Sequence, residues 1–226
     1  MPKVSEEFLL ARREEIIDAC AKLYETMNFK DITLKDIGHA TSFNRTSIYN
    51  YFNTKEEIFL ALMQREYDSW SEEMESLARK RKTLTRSELA DALARSLEKR
   101  ERLLKLLSMN HYDMEENSRI ENLVEFKRSY GKTLKAALHC LERHCPDMTE
   151  REREEFIYAY FPFMYGIYPY AVVTDKQKKA MDEAGVGFKY HSVYELAYNC
   201  LQKLLGIGSA ERKQDKKNID NLTSKI

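Results

Sequence analysis

Between residues 33 and 52 the chain reads T-L-K-D-I-G-H-A-T-S-F-N-R-T-S-I-Y-N-Y-F, two short helical patterns joined by a three-residue turn. Leu34 and Ile37 face inward on the first pattern, Phe43 plugs the turn, and Ile48 and Phe52 face inward on the second. Gly38 is the small residue that a crossing of two helix backbones needs. With Asn44 opening the second helix, Arg45, Thr46, Ser47, Tyr49 and Asn50 are left on its outer side. These are donors and acceptors of the kind that reach phosphates and base edges in the major groove of DNA. Taken alone, the same segment also reads as a plain helical hairpin with a polar outer face.

Other groupings carry less. Cys140 and His144 lie at i and i+4 and share a helix face, the start of a metal site, with His139 and Cys145 beside them. Sequence places no further ligand nearby and Pro146 ends the helix, so a satisfied helix end without metal is expected. The run Arg79-Lys80-Arg81-Lys82 reads as a solvated helix end, and Cys20 as core packing. There is no G-x-x-x-x-G-K-[ST], no G-x-S-x-G, no H-E-x-x-H and no Gly-rich phosphate loop, so no catalytic residue and no cofactor is expected.

The elements that must hold the 33–52 segment are all helical. Seven Gly and four Pro in 226 residues leave too few turn formers for a β-sandwich, and the composition reads all-α. Apolar periodicity and capping boxes divide the chain into helices near 5–27, 33–40, 44–52, 54–80, 85–108, 118–144, 149–173 and 190–206. The boxes are Thr33 with Asp36, Thr54-x-x-Glu57, Thr85-x-x-Glu88, Ser118-x-x-Glu121 and Thr149-x-x-Glu152. Residues 175–187 read as a ragged connector, and 209–226 as a polar tail. The domains expected are a helix-turn-helix DNA-binding domain at 1–53, with the 54–80 helix connecting, and an effector-binding and dimerisation domain at 54–208.

Lys plus Arg and Asp plus Glu both number 37, so no global field draws the chain onto nucleic acid or an anionic membrane. Residues 1–65 hold nine basic and ten acidic side chains, but 30–55 hold four against two, a narrow basic stripe around the motif. Affinity carried by such a stripe is strongly salt-sensitive. The 19-residue uncharged stretch at 156–174 contains Pro162, Pro169 and eight Phe or Tyr, and reads as buried protein helix, not a membrane span. The beginning of the chain lacks an apolar signal core, and four Cys with no C-x-x-C pair suit a reducing compartment, so a cytoplasmic location is expected.

The stretch 13–58 resembles the DNA-binding domain of TetR/AcrR-family transcriptional regulators. The matching residues are Ile16-Ile17-x-Ala19-Cys20, Phe29, Thr33-Leu34-x-Asp36-Ile37, Ile48-Tyr49-x-Tyr51-Phe52 and Lys55-Glu56-Glu57-Ile58. The resemblance implies a sequence-specific regulator of a bacterial cytoplasm, a repressor, binding a double-stranded operator of palindromic half-sites as a homodimer. It implies that Thr33 holds a phosphate through its helix N-terminus and hydroxyl and Tyr49 another through its hydroxyl, that Arg45 and Thr46 read bases with Asn50 as a candidate, and that Lys55 pairs with a further phosphate. Two departures stand out. Thr41-Ser42 replaces the usual Ala-Gly of the turn, where a left-handed conformation costs more. Thr46 stands where a small residue often opens the recognition helix, so no relative's operator carries over.

Residues 156–172 split into two apolar stripes, Phe156, Tyr160, Phe163, Ile167, Tyr170 and Tyr158, Phe161, Tyr165, Tyr168, Val172. A helix apolar on both sides is buried on both sides, and its two prolines are expected to kink it. In the family the last two long helices form the dimer bundle, and 149–173 and 190–206 resemble that pair. One reading is core plus dimer interface with no ligand. The other is an effector pocket lined by some of Tyr112, Phe126, Tyr130, Tyr160, Phe163 and Met164, suited to a small, mostly apolar or aromatic molecule that relieves operator binding. A DNA-bound scaffold recruiting a partner protein would share the first 65 residues. A helical ligand carrier would not need the intact 48–58 block.

Overall fold

The structure is a computed structural model that describes residues 6–43, 45–80, 82–109 and 111–208. The cap assigned to Asn44, the side chain of Arg45, Arg81 of the basic run and the 209–226 tail lie outside the described residues. Among those described, every regular element is a helix: α1 (Glu6–Thr26), α2 (Leu34–His39), α3 (Arg45–Ile48), α4 (Lys55–Ala78), α5 (Arg86–Glu98), α6 (Glu101–Leu107), α7 (His111–Glu116), α8 (Ile120–His144), α9 (Glu150–Ala171), α10 (Asp175–Glu183) and α11 (Val193–Leu204). The chain falls into two compact units, divided at Ser69/Trp70, Ser108/Met109 and Lys132/Thr133. No helix among the described residues is long and apolar enough to cross a membrane.

Helix starts follow the capping chemistry. Thr33, Thr85 and Thr149 each accept from the backbone three residues on while that residue's carboxylate accepts the cap's own N–H. Ser192 does the same with Glu195 at the start of α11. The box expected at Ser118 does not form: its Oγ is buried without a hydrogen-bond partner, and α8 starts on the Arg119 carbonyl, which accepts from Asn122 and Leu123.

Three spans differ from the periodicity. The 85–108 run breaks at Arg100 (φ −112°, ψ 43°), whose guanidinium leaves the helix line to meet Glu73 Oε2 at 2.6 Å. A nearly buried guanidinium requires such a carboxylate. The 109–117 region contains the short α7, with Met114 as its buried anchor. The connector expected to be ragged contains α10, capped by Thr174; it buries no residue and so leaves no apolar signal in sequence.

In the second unit Trp70 is fully buried, lies 5.8 Å from Phe161 between ring centroids, and donates Nε1–H to Ser96 Oγ at 3.1 Å. Helix α11 packs on α5 and α9, and α9 packs on α6. Within its own chain α9 is covered along one side only, through Phe156, Ile157, Tyr160, Phe161, Met164 and Ile167. Tyr158 is 73% exposed and Tyr170 also faces solvent, so each of the two expected stripes is only partly covered. The helix is continuous across Pro162 and Pro169.

The His and Cys residues near 140 serve helix ends. His144 accepts the Leu84 N–H on Nδ1 and donates Nε2–H to the Leu77 carbonyl, Cys140 donates to the Met74 carbonyl, and His139 meets Glu75 on the surface. Among the described residues no three His, Cys, Asp or Glu converge on a metal site.

Ser96→Ala leaves the Trp70 indole N–H buried without an acceptor, and is expected to cost about 1–3 kcal/mol. Trp70 is the only tryptophan in the chain, so a urea titration followed by its fluorescence reads that loss directly.

Candidate nucleic-acid interface

The first unit contains a small helical head built from α1, α2 and α3. Ile16, Ile17, Cys20 and Tyr24 of α1, Ile37 of α2, Ile48 at the end of α3, and Phe52 beyond it form its buried core. The α-helical part of α3 is one turn long, shorter than the 44–52 span expected from sequence. Tighter turns prolong it: Asn50 and Tyr51 donate to the carbonyls of Ser47 and Ile48 three residues back, and Phe52 again reaches Ile48. The inward pair Ile48 and Phe52 is therefore kept, and Thr46, Tyr49 and Asn50 stand exposed on the opposite side.

Among the described residues of the turn between α2 and α3, none is left-handed. None of the described non-glycine residues has a positive φ, so the strain expected at Thr41-Ser42 is absent. Side chains do the work instead. Thr41 Oγ1 donates toward the Gly38 and Phe43 carbonyls at 2.9 and 3.1 Å, and the Glu15 carboxylate accepts the Ser42 N–H. Arg12 donates to Ser42 Oγ at 2.8 Å and lies over the Phe43 ring, 4.5 Å from its centroid. The Ser42 N–H is the main reason that the Glu15 carboxyl sits below the ordinary carboxylate value. Arg12 and Glu15 belong to α1, and nothing in their spacing marks this role.

Thr33 is committed to its cap: its hydroxyl donates to Asp36 Oδ2 at 2.6 Å and accepts from the Asp36 N–H. That hydroxyl, followed by the Thr33 N–H, holds the Asp36 carboxyl below its usual value. Tyr49 is 47% exposed at the end of α3, and Ser47 is half-buried. Lys55 is drawn inward. Its ammonium donates to the Phe29 and Ile32 carbonyls at 2.8 and 3.1 Å and sits 4.3 Å over the Phe29 ring, which leaves one of its three protons for another acceptor.

Glu57, the fourth residue of the expected box at Thr54, takes a different place. It is 1% exposed and accepts four donors: the Asn53 N–H at 2.7 Å, the Arg119 N–H at 3.1 Å, and Arg119 Nε and Nη2 at 2.7 and 2.9 Å. Only half of the box remains, the Glu57 N–H on Thr54 Oγ1, while that hydroxyl donates to the Asn117 carbonyl. Arg119 Nη2 also reaches the Tyr51 carbonyl at 3.2 Å. Burial pushes the Glu57 carboxyl up, but the Arg119 side chain, the Asn53 and Arg119 N–H groups and the guanidinium charge outweigh it and hold the carboxyl below the ordinary value.

Two family models match: "Bacterial regulatory proteins, tetR family" over residues 16–62, and "Tetracyclin repressor-like, C-terminal domain" over 64–193, more than half of the chain. The chain belongs to the TetR family. The HTH-type transcriptional repressor Rv1474c of Mycobacterium tuberculosis is 34% identical over 62 residues, 27% of this chain and 33% of that protein. The match thus spans about a third of the length of the curated relatives. Over the whole fold, the fatty acid degradation regulator FadR of Bacillus halodurans has a TM-score of 0.56 at 14% identity, covering 90% of this chain and 96% of that one. Thermus thermophilus FadR, a TetR-family repressor solved with lauroyl-CoA, has a TM-score of 0.55 at 19% identity, covering 86% and 93%. At these identities the likeness shows the TetR fold alone.

The six residues expected to touch an effector are divided between the units. Phe126 and Tyr130 meet Tyr67 at 6.0 and 5.5 Å between ring centroids, and Tyr112, in the same unit, is 82% exposed. In the second unit Tyr160 and Met164 are buried and Phe163 is half-buried. The Tyr160 hydroxyl lies in that core without a hydrogen-bond partner.

Because the folded Glu57 carboxyl titrates below the unfolded one, its contribution is complete above the ordinary carboxylate value and is lost as pH falls through the folded-state pKa. Glu57→Gln is expected to cost about 1–3 kcal/mol near neutral pH. The gap between variant and wild type is expected to start closing as pH falls past the ordinary carboxylate value and to be gone below the folded-state one. Paired urea titrations at the two ends of that range check it. An equal gap at both would show that the charge on Glu57 is not what the pairing needs.

Proposed function

We propose that this chain is a DNA-binding transcriptional repressor that works as a homodimer on a palindromic operator and is released by a small effector. The observation that carries the reading is the α2–α3 pair, which turns Thr46, Tyr49 and Asn50 outward on one short helical segment inside a region matched to the TetR family. A single recognition turn has too few contacts to bind tightly alone, so two copies on two half-sites are needed. The side of α9 left open in one chain, with Tyr158 and Tyr170 exposed, and the half-buried Leu196, Cys200 and Leu204 of α11 supply apolar surface for the second copy.

The roles in DNA are part of the same proposal. Arg45 and Thr46 are assigned to base edges with Asn50 beside them, and Ser47 and Tyr49 to phosphates. Lys55 is assigned a phosphate through its remaining proton, and Thr33 through the start of α2. The effector is an apolar molecule with a hydrogen-bond acceptor. The buried Tyr160 hydroxyl supports this, since an unpaired phenol in a core is costly and a ligand acceptor would remove that cost. Fatty acyl thioesters are the first class to try, given that Thermus thermophilus and Bacillus subtilis FadR were solved with lauroyl-CoA and stearoyl-CoA. The ligand's differential affinity for the DNA-bound and free states sets how far binding falls, at about 1.4 kcal/mol per tenfold.

Selection of DNA from a random duplex pool at two salt concentrations is expected to return a palindrome bound by a dimer, with affinity falling steeply in salt. Tyr49→Phe should weaken binding to all DNAs alike. Arg45→Ala should also relax sequence preference, by about 1–3 kcal/mol of discrimination. Equal loss across every operator variant for Arg45→Ala would remove it as a base reader, and recovery of no sequence at either salt would overturn the regulator reading. Added lauroyl-CoA is expected to lower operator affinity, and Tyr160→Phe to blunt that effect.

A further inference from the structure

The stretch that follows α3 is tied down on two sides, and both ties come from distant parts of the chain. On one side the Lys55 ammonium gathers the Phe29 and Ile32 carbonyls of the α1–α2 connector. On the other, the connector before α8 delivers Arg119, with two guanidinium nitrogens and its main-chain N–H all on Glu57. The same guanidinium reaches the Tyr51 carbonyl, two residues beyond Tyr49, and Thr54 Oγ1 holds the Asn117 carbonyl at 2.9 Å. Glu57 in turn accepts the Asn53 N–H. One buried carboxylate and one arginine thus fix the backbone at Tyr51 and Asn53, the points through which α3 is joined to α4.

We propose that Arg119 is a positioning residue for DNA reading: its fork on Glu57 and the Tyr51 carbonyl sets the angle at which the recognition turn leaves α4, although Arg119 lies outside the helix-turn-helix. The proposal rests on the DNA-binding reading given above. The physical case is one of rigidity. A recognition turn of four residues has almost no internal stiffness, because a single helical turn is not self-supporting. Its orientation must come from what anchors its ends. Before α3 the anchors are Arg12 and Glu15 on the turn; after it they are the Glu57–Arg119 bonds. A planar guanidinium is suited to this, since its Nε and Nη2 protons point in fixed directions at the two carboxylate oxygens. Arg119 is 46% exposed along its side chain, so the bonds to a buried carboxylate and a main-chain carbonyl, not burial of the arginine, hold it in place.

The test measures the affinity of wild type, Arg119→Ala, Arg119→Lys, Glu57→Gln and the double variant for the operator selected by wild type, and for random duplex, over a series of salt concentrations. Arg119→Ala and Glu57→Gln are each expected to weaken operator binding about tenfold, and the double variant to be no weaker than the worse single. Random-duplex affinity and the salt slope should stay near wild-type values, since neither Arg119 nor Glu57 holds a phosphate and attraction to phosphates tolerates small displacements. Arg119→Lys, which keeps the charge but not the fork, should fall between; it carries the test if the alanine variant does not fold. Wild-type operator affinity in folded Arg119→Lys and Glu57→Gln would overturn the positioning role. So would a salt slope reduced by about one in Arg119→Ala with Glu57→Gln unaffected, which would make Arg119 a phosphate ligand. A wild-type protein that selects no sequence overturns the DNA reading itself, an outcome distinct from either of these.

Discussion

A carboxylate that is 1% exposed stays ionised only if every oxygen is satisfied, and Glu57 meets that condition with four donors. Two of those donors are the side-chain nitrogens of Arg119, and the others are main-chain N–H groups at Asn53 and Arg119. The requirement is stringent because removing one donor leaves a buried negative charge underpaired, which is worse than having no charge there. Satisfying Glu57 therefore brings together the end of α3, the start of α4 and the start of α8. It also explains the starts of two helices at once: α4 keeps only half of its capping box, and α8 begins on the Arg119 carbonyl while the Ser118 hydroxyl is left without a bond.

The opposite end of the recognition turn is held by the same kind of chemistry. A turn between helices commonly uses glycine for its freedom at positive φ. Here the described residues of the turn stay in ordinary regions, and the Ser42 N–H is taken by the Glu15 carboxylate. Arg12 adds a bond to Ser42 and a stacking contact on Phe43. Two charged residues of α1 thus supply what a glycine would otherwise supply, and they make the turn stiffer than a glycine would, since side-chain bonds restrict it further.

Sequence legibility followed the range of the interactions. The all-helical class, the boxes at Thr33, Thr85 and Thr149, and the inward set Ile37, Ile48 and Phe52 were all readable because each depends on residues three or four apart. Helix α10 leaves no apolar pattern because it buries nothing, and the partner that Arg100 meets at the break, Glu73, is on a different helix. At the site, the outward residues Thr46, Tyr49 and Asn50 could be picked from spacing alone. Spacing marks Glu57 as a cap because its local partner Thr54 lies three residues away, whereas the partner it uses, Arg119, is 62 residues away. Nor could spacing show that Lys55 spends its protons on the Phe29 and Ile32 carbonyls.

The balance of charge makes this local rigidity matter. With equal numbers of acidic and basic residues, the chain has no long-range field to compensate for a badly aimed reading head. Contacts to bases fall off over fractions of an ångström, while attraction to phosphates is tolerant of small displacements. A protein that relies on a strong basic surface can bind with a loose recognition helix; one with a narrow basic stripe cannot. The short α3 places the burden on its two anchors, and both are built from ion pairs and charge-assisted hydrogen bonds, which have two discrete states, made or broken. On the DNA-binding reading proposed above, such anchors aim the recognition turn, and a change at Glu57 is felt at bases that it does not touch.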